Sequence, residues 1–390
     1  MKIQHEVIVV GGGPVGAAAV LALRAAGFDV ALVERSAVPP RFDADDYDLR
    51  VYAISSASAA VLDQVGAWSS IVARRAGPYW AMQVWEQGVA RGLSFSAADA
   101  GTRELGWIIE HNLIVAELWA RFGGLPVYRG ADIVAANFQG ATSAELQLAD
   151  GRNLAAQLIV AADGADSKMR DWAGIDLIGW RYPQQAIVCH VQTQEPHRQT
   201  AWQRFLPSGP LAFLPLADGR CSIVWSLEAP QAEEVLALED AAFCSRLGAA
   251  SEYALGNIIA TTGRVGFPLR LQHARVYAAE RLALVGDAAH TVHPLAGQGV
   301  NLGFADVRAL AVCLAEARAQ GRDWSGARTL ARYQRQRRPQ NLEMLALTDA
   351  LYRAFHLSVP GLRALLGTGL GLVDRLAPVK GWLARRATTS

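Results

Sequence analysis

The sequence predicts an α/β fold: a parallel-sheet domain that binds a dinucleotide, interleaved with a second domain built on a β-sheet, and helices toward the C-terminus. Three observations predict it. A β-branched run near the N-terminus leads straight into a glycine-rich turn, two later loops each follow a short apolar run, and the region between those loops carries alternating and aromatic runs in the period of strands.

At 390 residues the chain is long enough for two such domains. Hydrophobic residues make up 52% and charged residues 19%, the balance of a packed globular protein. Lys and Arg number 37 against 36 Asp and Glu, so there is no basic excess for nucleic-acid phosphates. Cys189, Cys221, Cys244 and Cys313 are scattered without a CxxC pair and read as reduced, buried thiols of a cytoplasmic protein.

The first element, Val7 to Val10, reads as a buried parallel strand. Gly11-x-Gly13-x-x-Gly16 follows, then an Ala/Leu-rich helix ending near Gly27 and a second strand, 29–33, ending at Glu34. Gly11 allows the tight turn, Gly13 lets backbone approach a pyrophosphate, and Gly16 lets helix and strand pack closely. The helix N-terminus supplies N–H donors to phosphate, and Glu34 stands about twenty residues on, where a carboxylate accepts from ribose hydroxyls. The apolar run 7–23 has GGGP in its middle, which suits strand, turn and helix better than a signal peptide or a membrane span. The motif does not separate one dinucleotide from another.

The second loop, "LIVAADGADSKMRDWAG" (158–174), places Asp163-Gly164-x-x-Ser167-x-x-Arg170 after a strand at Leu158 to Ala161. Alone it is a β-turn with Ser167 capping the next helix. The third loop, "LALVGDAAHTVHPLAGQGVNLG" (282–303), follows a strand from Leu282 to Val285. Asp287 there suits hydrogen bonds from a ribitol or ribose hydroxyl. Gly297, Gly299 and Gly303 leave room for a flat ligand against backbone, and a helix starting near Gly299 aims its N–H groups at it. His290 and His293 lack an HExxH glutamate and a cysteine partner, so they read as packing and hydrogen-bonding groups and not as a metal site.

These three loops, in this order, resemble the FAD-dependent aromatic hydroxylases with the para-hydroxybenzoate hydroxylase fold. "HPLAGQGVNLGFAD" (293–306) resembles the signature of their ubiquinone-biosynthesis monooxygenase branch, and "DLRVYAISSASAAVLDQVGAW" (48–68) resembles a second flavin-side segment with Arg50 near the isoalloxazine. The resemblance implies a Rossmann-like FAD-binding domain (1–72, 103–178 and 276–330), a β-sheet substrate domain (73–102 and 179–275) and a C-terminal helical segment (331–390). It implies cofactor contacts at Gly11, Gly13, Pro14, Gly16, Glu34, Arg35, Arg50, Asp163, Gly286, Asp287, Gly297, Gln298, Gly299, Val300 and Asn301, with Pro294 and Gly297 lining the reacting side of the flavin ring. Many relatives outside this branch carry an Arg near "EHNLIVAEL", where this chain has His111 and Asn112.

The implied reaction is hydroxylation of the ring of a polyprenylated phenol or benzoquinol. FAD is reduced by NAD(P)H and O2 is activated as a flavin C4a-hydroperoxide; no residue stands out as the base. The implied setting is a cytoplasmic protein with peripheral contact to the inner face of a membrane, working beside other ubiquinone-biosynthesis proteins. Two other readings stay open: a flavin-dependent reductase or another aromatic-ring hydroxylase of the same fold, and a non-catalytic FAD-binding scaffold. The paired-tryptophan WxWxIP motif of flavin halogenases is absent.

Two features remain. Trp202, Phe205, Phe213, Pro215 and Trp225 sit in strand-like runs where core packing competes with contact to an aromatic substrate. The last forty residues carry six Lys or Arg against Asp374 alone, with leucines at helical spacing, which suits either packed helices or a membrane contact.

Overall fold

The computed structural model describes residues 4–86, 92–140, 142–292 and 299–356. The strand His5–Val10 lies inside a sheet, parallel to Asn153–Ala161 on one side and Val30–Glu34 on the other, with Val9 opposite Val160 and Leu32. Leu282–Leu284 extends the sheet in parallel beyond Asn153–Ala161. Val7, Ile8 and Val9 are completely buried, as a β-branched run covered on both faces requires.

This order has a consequence for binding. The chain leaves the central strand toward one side for its second strand and later returns on the other side, which makes the central strand a topological switch point. Because these strands are parallel, their carboxyl ends share one edge. Gly11, Glu34, Ala162 and Gly286 all stand on that edge, so the sheet gathers the three loops.

The helix Pro14–Ala25 starts with Pro14 at its first position and Gly13 as N-cap. Its end comes just before Gly27, whose φ of +84° turns the chain into the second strand. The helix Gly299–Ala319 packs against it, and the helix Ala327–His356 packs against Gly299–Ala319 in turn. Val300, Phe304, Val307 and Leu310 of the Gly299–Ala319 helix join the same core as the parallel strands. Residues 357–390, most of the basic C-terminal segment, lie outside the described residues.

The middle of the chain forms the larger sheet, centred on the 17-residue strand Leu177–Thr193. Cys221–Glu228, Gly209–Pro215 and Thr200–Leu206 follow it, then Ala81–Glu86 and Leu93–Ser96. Gly77–Tyr79 belongs instead to a small sheet with Gly106–Glu110 and Val51–Ile54. On the other flank, His290–Thr291 of the third loop pairs with Val265–Ala274 and becomes part of the large sheet.

Alternation sorts the aromatic residues of this sheet. Phe213 and Trp225 face the helices Ala229–Leu236 and Asp240–Ala250, in one cluster with Ile187, Ile223, Phe243 and Leu247, and Trp202 packs on it. They are core residues on the outer side. Of the five sequence candidates, Phe205 occupies the opposite phase from Trp202 and points to the inner face. The four cysteines are free and buried.

Candidate cofactor site

The glycine turn is dictated by the chain's own crowding at two positions and by none at a third. Gly11 has a φ of +97°, and a Cβ there would stand 2.4 Å from the Ala162 carbonyl oxygen. At Gly16 a Cβ would come within 1.9 Å of the Gly11 oxygen. Gly13 is different: its φ of −66° suits any residue, and a Cβ would meet nothing within 4 Å. The chain itself gives no reason for a glycine there. No side chain caps the helix that follows, so its first N–H groups face the same opening.

Glu34 stands at the end of the second strand. Its Oε2 accepts from the Gly12 N–H at 2.6 Å and its Oε1 from the Ser36 N–H at 2.7 Å, which fixes the carboxylate beside the glycine turn. Trp119, which sequence reasoning missed, donates its Nε1–H to the Gly12 oxygen at 2.8 Å and covers the turn. Arg35 is exposed next to Glu34.

The second loop is held by its own residues. Asp163 accepts from the Met169 N–H at 3.2 Å, and Ser167 caps the short helix Lys168–Trp172 as its sequence position predicts. Arg170 is buried and donates to the carbonyls of Ala165 and Ala288, so it ties the second loop to the third. Asp163 keeps one buried oxygen without a hydrogen-bond partner, and burial raises its carboxyl pKa.

In the third loop Gly286 adopts a φ of +59°. A Cβ at Gly303 would lie 2.5 Å from the Val15 side chain and 3.3 Å from the Gly286 Cα. The expectation that Gly303 leaves room for a flat ligand is therefore corrected: its missing side chain lets two helices and this loop meet. Asp287 combines two properties. It is accessible to solvent, yet burial raises its carboxyl pKa against the pull of His290, Arg50 and Arg270. No described residue donates a hydrogen bond to it.

Asn301 and Val300 act from within the chain. The Asn301 amide donates to the Ala53 oxygen at 2.8 Å and accepts from the Ser55 N–H at 3.1 Å, fastening the strand Val51–Ile54 to the third loop. Val300 is buried in the main core. Arg50 is exposed at the start of that strand, and its charge bears on Asp287 and on His111. His290 turns away from any metal role: its Nε2 lies 2.5 Å from Asp306 Oδ2, and both side chains are fully buried. His293, Pro294, Gly297 and Gln298 lie outside the described residues, and Gly299 opens the helix after them.

A dinucleotide fits this arrangement. An uncapped helix N-terminus, an open space over Gly13, a fixed carboxylate at Glu34 and an exposed carboxylate at Asp287 stand at the switch point of a parallel sheet. The comparisons name that ligand. The family described as FAD binding domain matches residues 4–348. The 3-demethoxyubiquinol 3-hydroxylase of Escherichia coli K12 is 37% identical over 386 residues, 96% of each chain.

The chain belongs to the FAD-dependent ubiquinone-biosynthesis hydroxylases.

The ubiquinone hydroxylase UbiL of Rhodospirillum rubrum is 36% identical, covering 98% of this chain and 89% of its own length. The human mitochondrial monooxygenase COQ6 is 33% identical, covering 96% and 91%. The fold is that of p-nitrophenol 4-monooxygenase PnpA from Pseudomonas putida DLL-E4, with a TM-score of 0.80 at 19% identity, covering 100% of this chain and 99% of that one. The chain is therefore an FAD-dependent aromatic hydroxylase.

Proposed function

We propose that this protein hydroxylates the ring of a polyprenylated phenol or benzoquinol on the ubiquinone route, with NAD(P)H as electron donor and O2 as oxidant. The observation that carries the reading is a row across the large sheet. Val188, Val224, Ala212 and Gln203 stand opposite one another on four neighbouring interior strands, and all four stay partly exposed. One row further along the strands, Ala186, Ser226, Pro210 and Phe205 are buried. Val224 packs against the cluster that holds Val292 and Leu302, which flank the third loop's centre in sequence. The inner face of the sheet thus presents a partly exposed row of apolar, small and amide side chains, a fit for a flat ring with one or two polar substituents.

FAD supplies the redox and oxygen chemistry when bound. Gly13 and the helix behind it would hold the pyrophosphate, and Glu34 and Asp287 would accept from the sugar and ribityl hydroxyls, with Arg35, Arg50 and Asp163 at the margins. Pro294, Gly297 and Gln298, which lie outside the described residues, are the ones the family resemblance assigns to the flavin ring, with Gly299 opening the helix after them. The sheet would cover the ring and position it. Residues 1–72, 103–178 and 276–330 act as the FAD-binding unit and 73–102 with 179–275 as its substrate roof. The third loop's pairing with the large sheet joins the two.

Among the described residues no helix is long and apolar enough to cross a membrane. The basic, leucine-rich segment beyond residue 350 supports peripheral contact with the membrane that dissolves a polyprenyl substrate, and assembly with other proteins of the route is compatible with that position. The test is isotopic. Protein, NAD(P)H, a prenylated phenol and labelled oxygen gas give a product with one labelled hydroxyl. A new oxygen drawn from water, or no new oxygen across a panel of ring substrates, overturns the reading.

A further inference from the structure

The partly exposed row on the large sheet does not stop at Val188. Val265 of the neighbouring strand stands directly opposite Val188, and Phe267 opposite Ala186, so both share the inner face. Val265 is 38% exposed and Phe267 47%. Among the described residues, this end of their strand pairs with Leu177–Thr193 alone. At the other end of the row Gln203 is followed by Val84, which is only 8% exposed. The row is thus open at Val265 and closed at Val84.

Its two flanks are covered. On one side Ala186 is buried in a cluster with Leu345 of the helix Ala327–His356, and Met344 packs on that cluster. On the other side His190 and Ser222 stand opposite each other and are buried. His190 Nε2 lies 3.1 Å from the Asp48 carbonyl oxygen, and Leu214 packs on the same cluster as Val51 and Ala53. One row of side chains lies open between two buried rows, which makes a groove one residue wide. Along it Val265, Val188, Val224 and Ala212 are apolar, and Gln203 beside the closed end brings an amide.

We infer that this groove holds the substrate lengthwise, with the ring at the Gln203 end. The prenyl tail runs over Val224 and Val188 and leaves the protein between Val265 and Phe267. The identity of the ligand rests on the proposed hydroxylation; its direction follows from the groove. The ring carries the oxygens that an amide can hydrogen-bond, and the tail carries none. The length of the groove sets a limit. Four strand spacings of about 4.8 Å separate Gln203 from Val265, about 19 Å in all. An aromatic ring takes about 6 Å of that, and an extended prenyl unit of four carbon–carbon bonds about 5 Å. The groove therefore covers the ring and about two units. The third unit meets Val265 and Phe267 at the mouth, and later units lie outside.

The test measures dissociation constants of the FAD-loaded protein for phenols carrying from none to four prenyl units, read by tryptophan fluorescence. Affinity is expected to rise at least fivefold per unit through the third, as each unit leaves water, and to stay within twofold from the third to the fourth. Val188→Trp plugs the groove midway and is expected to bring all five phenols within twofold of one another. Phe267→Ser, at an exposed position, is expected to leave three units no better than two, and carries the test should Val188→Trp lose the fold. Equal affinity of the parent for all lengths, or a gain that continues undiminished into the fourth unit, overturns the proposal. So does parental length dependence in folded Val188→Trp or in Phe267→Ser. A parent that binds longer tails more tightly yet labels no ring with oxygen supports the groove and overturns the assigned reaction. A parent that labels the ring with equal affinity for all lengths does the reverse.

Discussion

His290 and Asp306 meet at 2.5 Å with no solvent access to either side chain, joining the third loop to the helix that follows it. The same carboxylate accepts from the Gly286 N–H at 3.1 Å, from Arg337 Nε at 2.7 Å and from Asn341 at 3.1 Å. One buried anion thereby fixes the start of the loop, its histidine and the C-terminal helix. Burial works against this charge, but His290 and Arg337 outweigh it and hold the carboxyl below its ordinary range.

Removing that anion leaves Arg337 buried without its charge partner. Asp306→Ala is expected to lose about 3–5 kcal/mol of stability in urea unfolding at pH 7. Because the folded carboxyl is held below its unfolded value, the contribution is complete above about pH 4 and fades as pH falls through the lower, folded value. The gap between parent and variant must therefore narrow toward pH 2. A gap that is constant across that range removes the charge from the explanation.

The two glycines three residues apart separate folding from binding. Gly16→Ala forces a Cβ onto the Gly11 oxygen and is expected to yield no soluble folded protein. Gly13→Ala meets open space, so the apoprotein should melt within about 1 kcal/mol of the parent. Its FAD affinity should drop at least tenfold, because the new methyl occupies the space meant for pyrophosphate. Calorimetric titration with FAD decides the point, and parental affinity in Gly13→Ala would place the phosphates elsewhere.

Asp287 has no hydrogen-bond donor among the described residues, so its removal should cost the fold little. Asp287→Ala should weaken FAD binding by about 1–3 kcal/mol, roughly a factor of 5–150 in Kd, with unchanged circular dichroism. Equal Kd values for variant and parent would remove Asp287 from the cofactor contacts.

The faces of the large sheet predict opposite kinetic outcomes for neighbouring residues. Ala212→Phe crowds the partly exposed row proposed to meet the substrate and should raise KM or abolish hydroxylation while stability and FAD content hold. Phe213→Ala empties the outer core, with a loss of about 3–5 kcal/mol and little change in KM for the protein that remains folded. A reversal of these two phenotypes would put the substrate on the helix side.

The parts of this molecule that follow from local chemistry were legible in the sequence. The run Val7 to Val10, the turn at Gly11 to Gly16, the Ser167 cap and the helix start at Gly299 all depend on neighbours within a few residues, and each stands where the pattern puts it. The roles of Trp119, Arg170, Asn301 and Arg337 were not legible, because each acts on a carbonyl or carboxylate far away in the chain. Gly303 shows the same limit from the other side. A glycine beside a ligand loop and a glycine between two helices look alike until Val15 is seen against it. Which aromatic faces the groove is a matter of strand phase, and phase is fixed by pairing partners that composition does not name.

The short strand His290–Thr291 answers to two masters. Its backbone is hydrogen-bonded into the large sheet at His273 and Gln272, while its histidine side chain is locked to the helix Gly299–Ala319 through Asp306. A hinge between the two halves of the molecule would have to break one set of bonds or the other. Any shift of the large sheet relative to that helix therefore meets resistance at this one short strand.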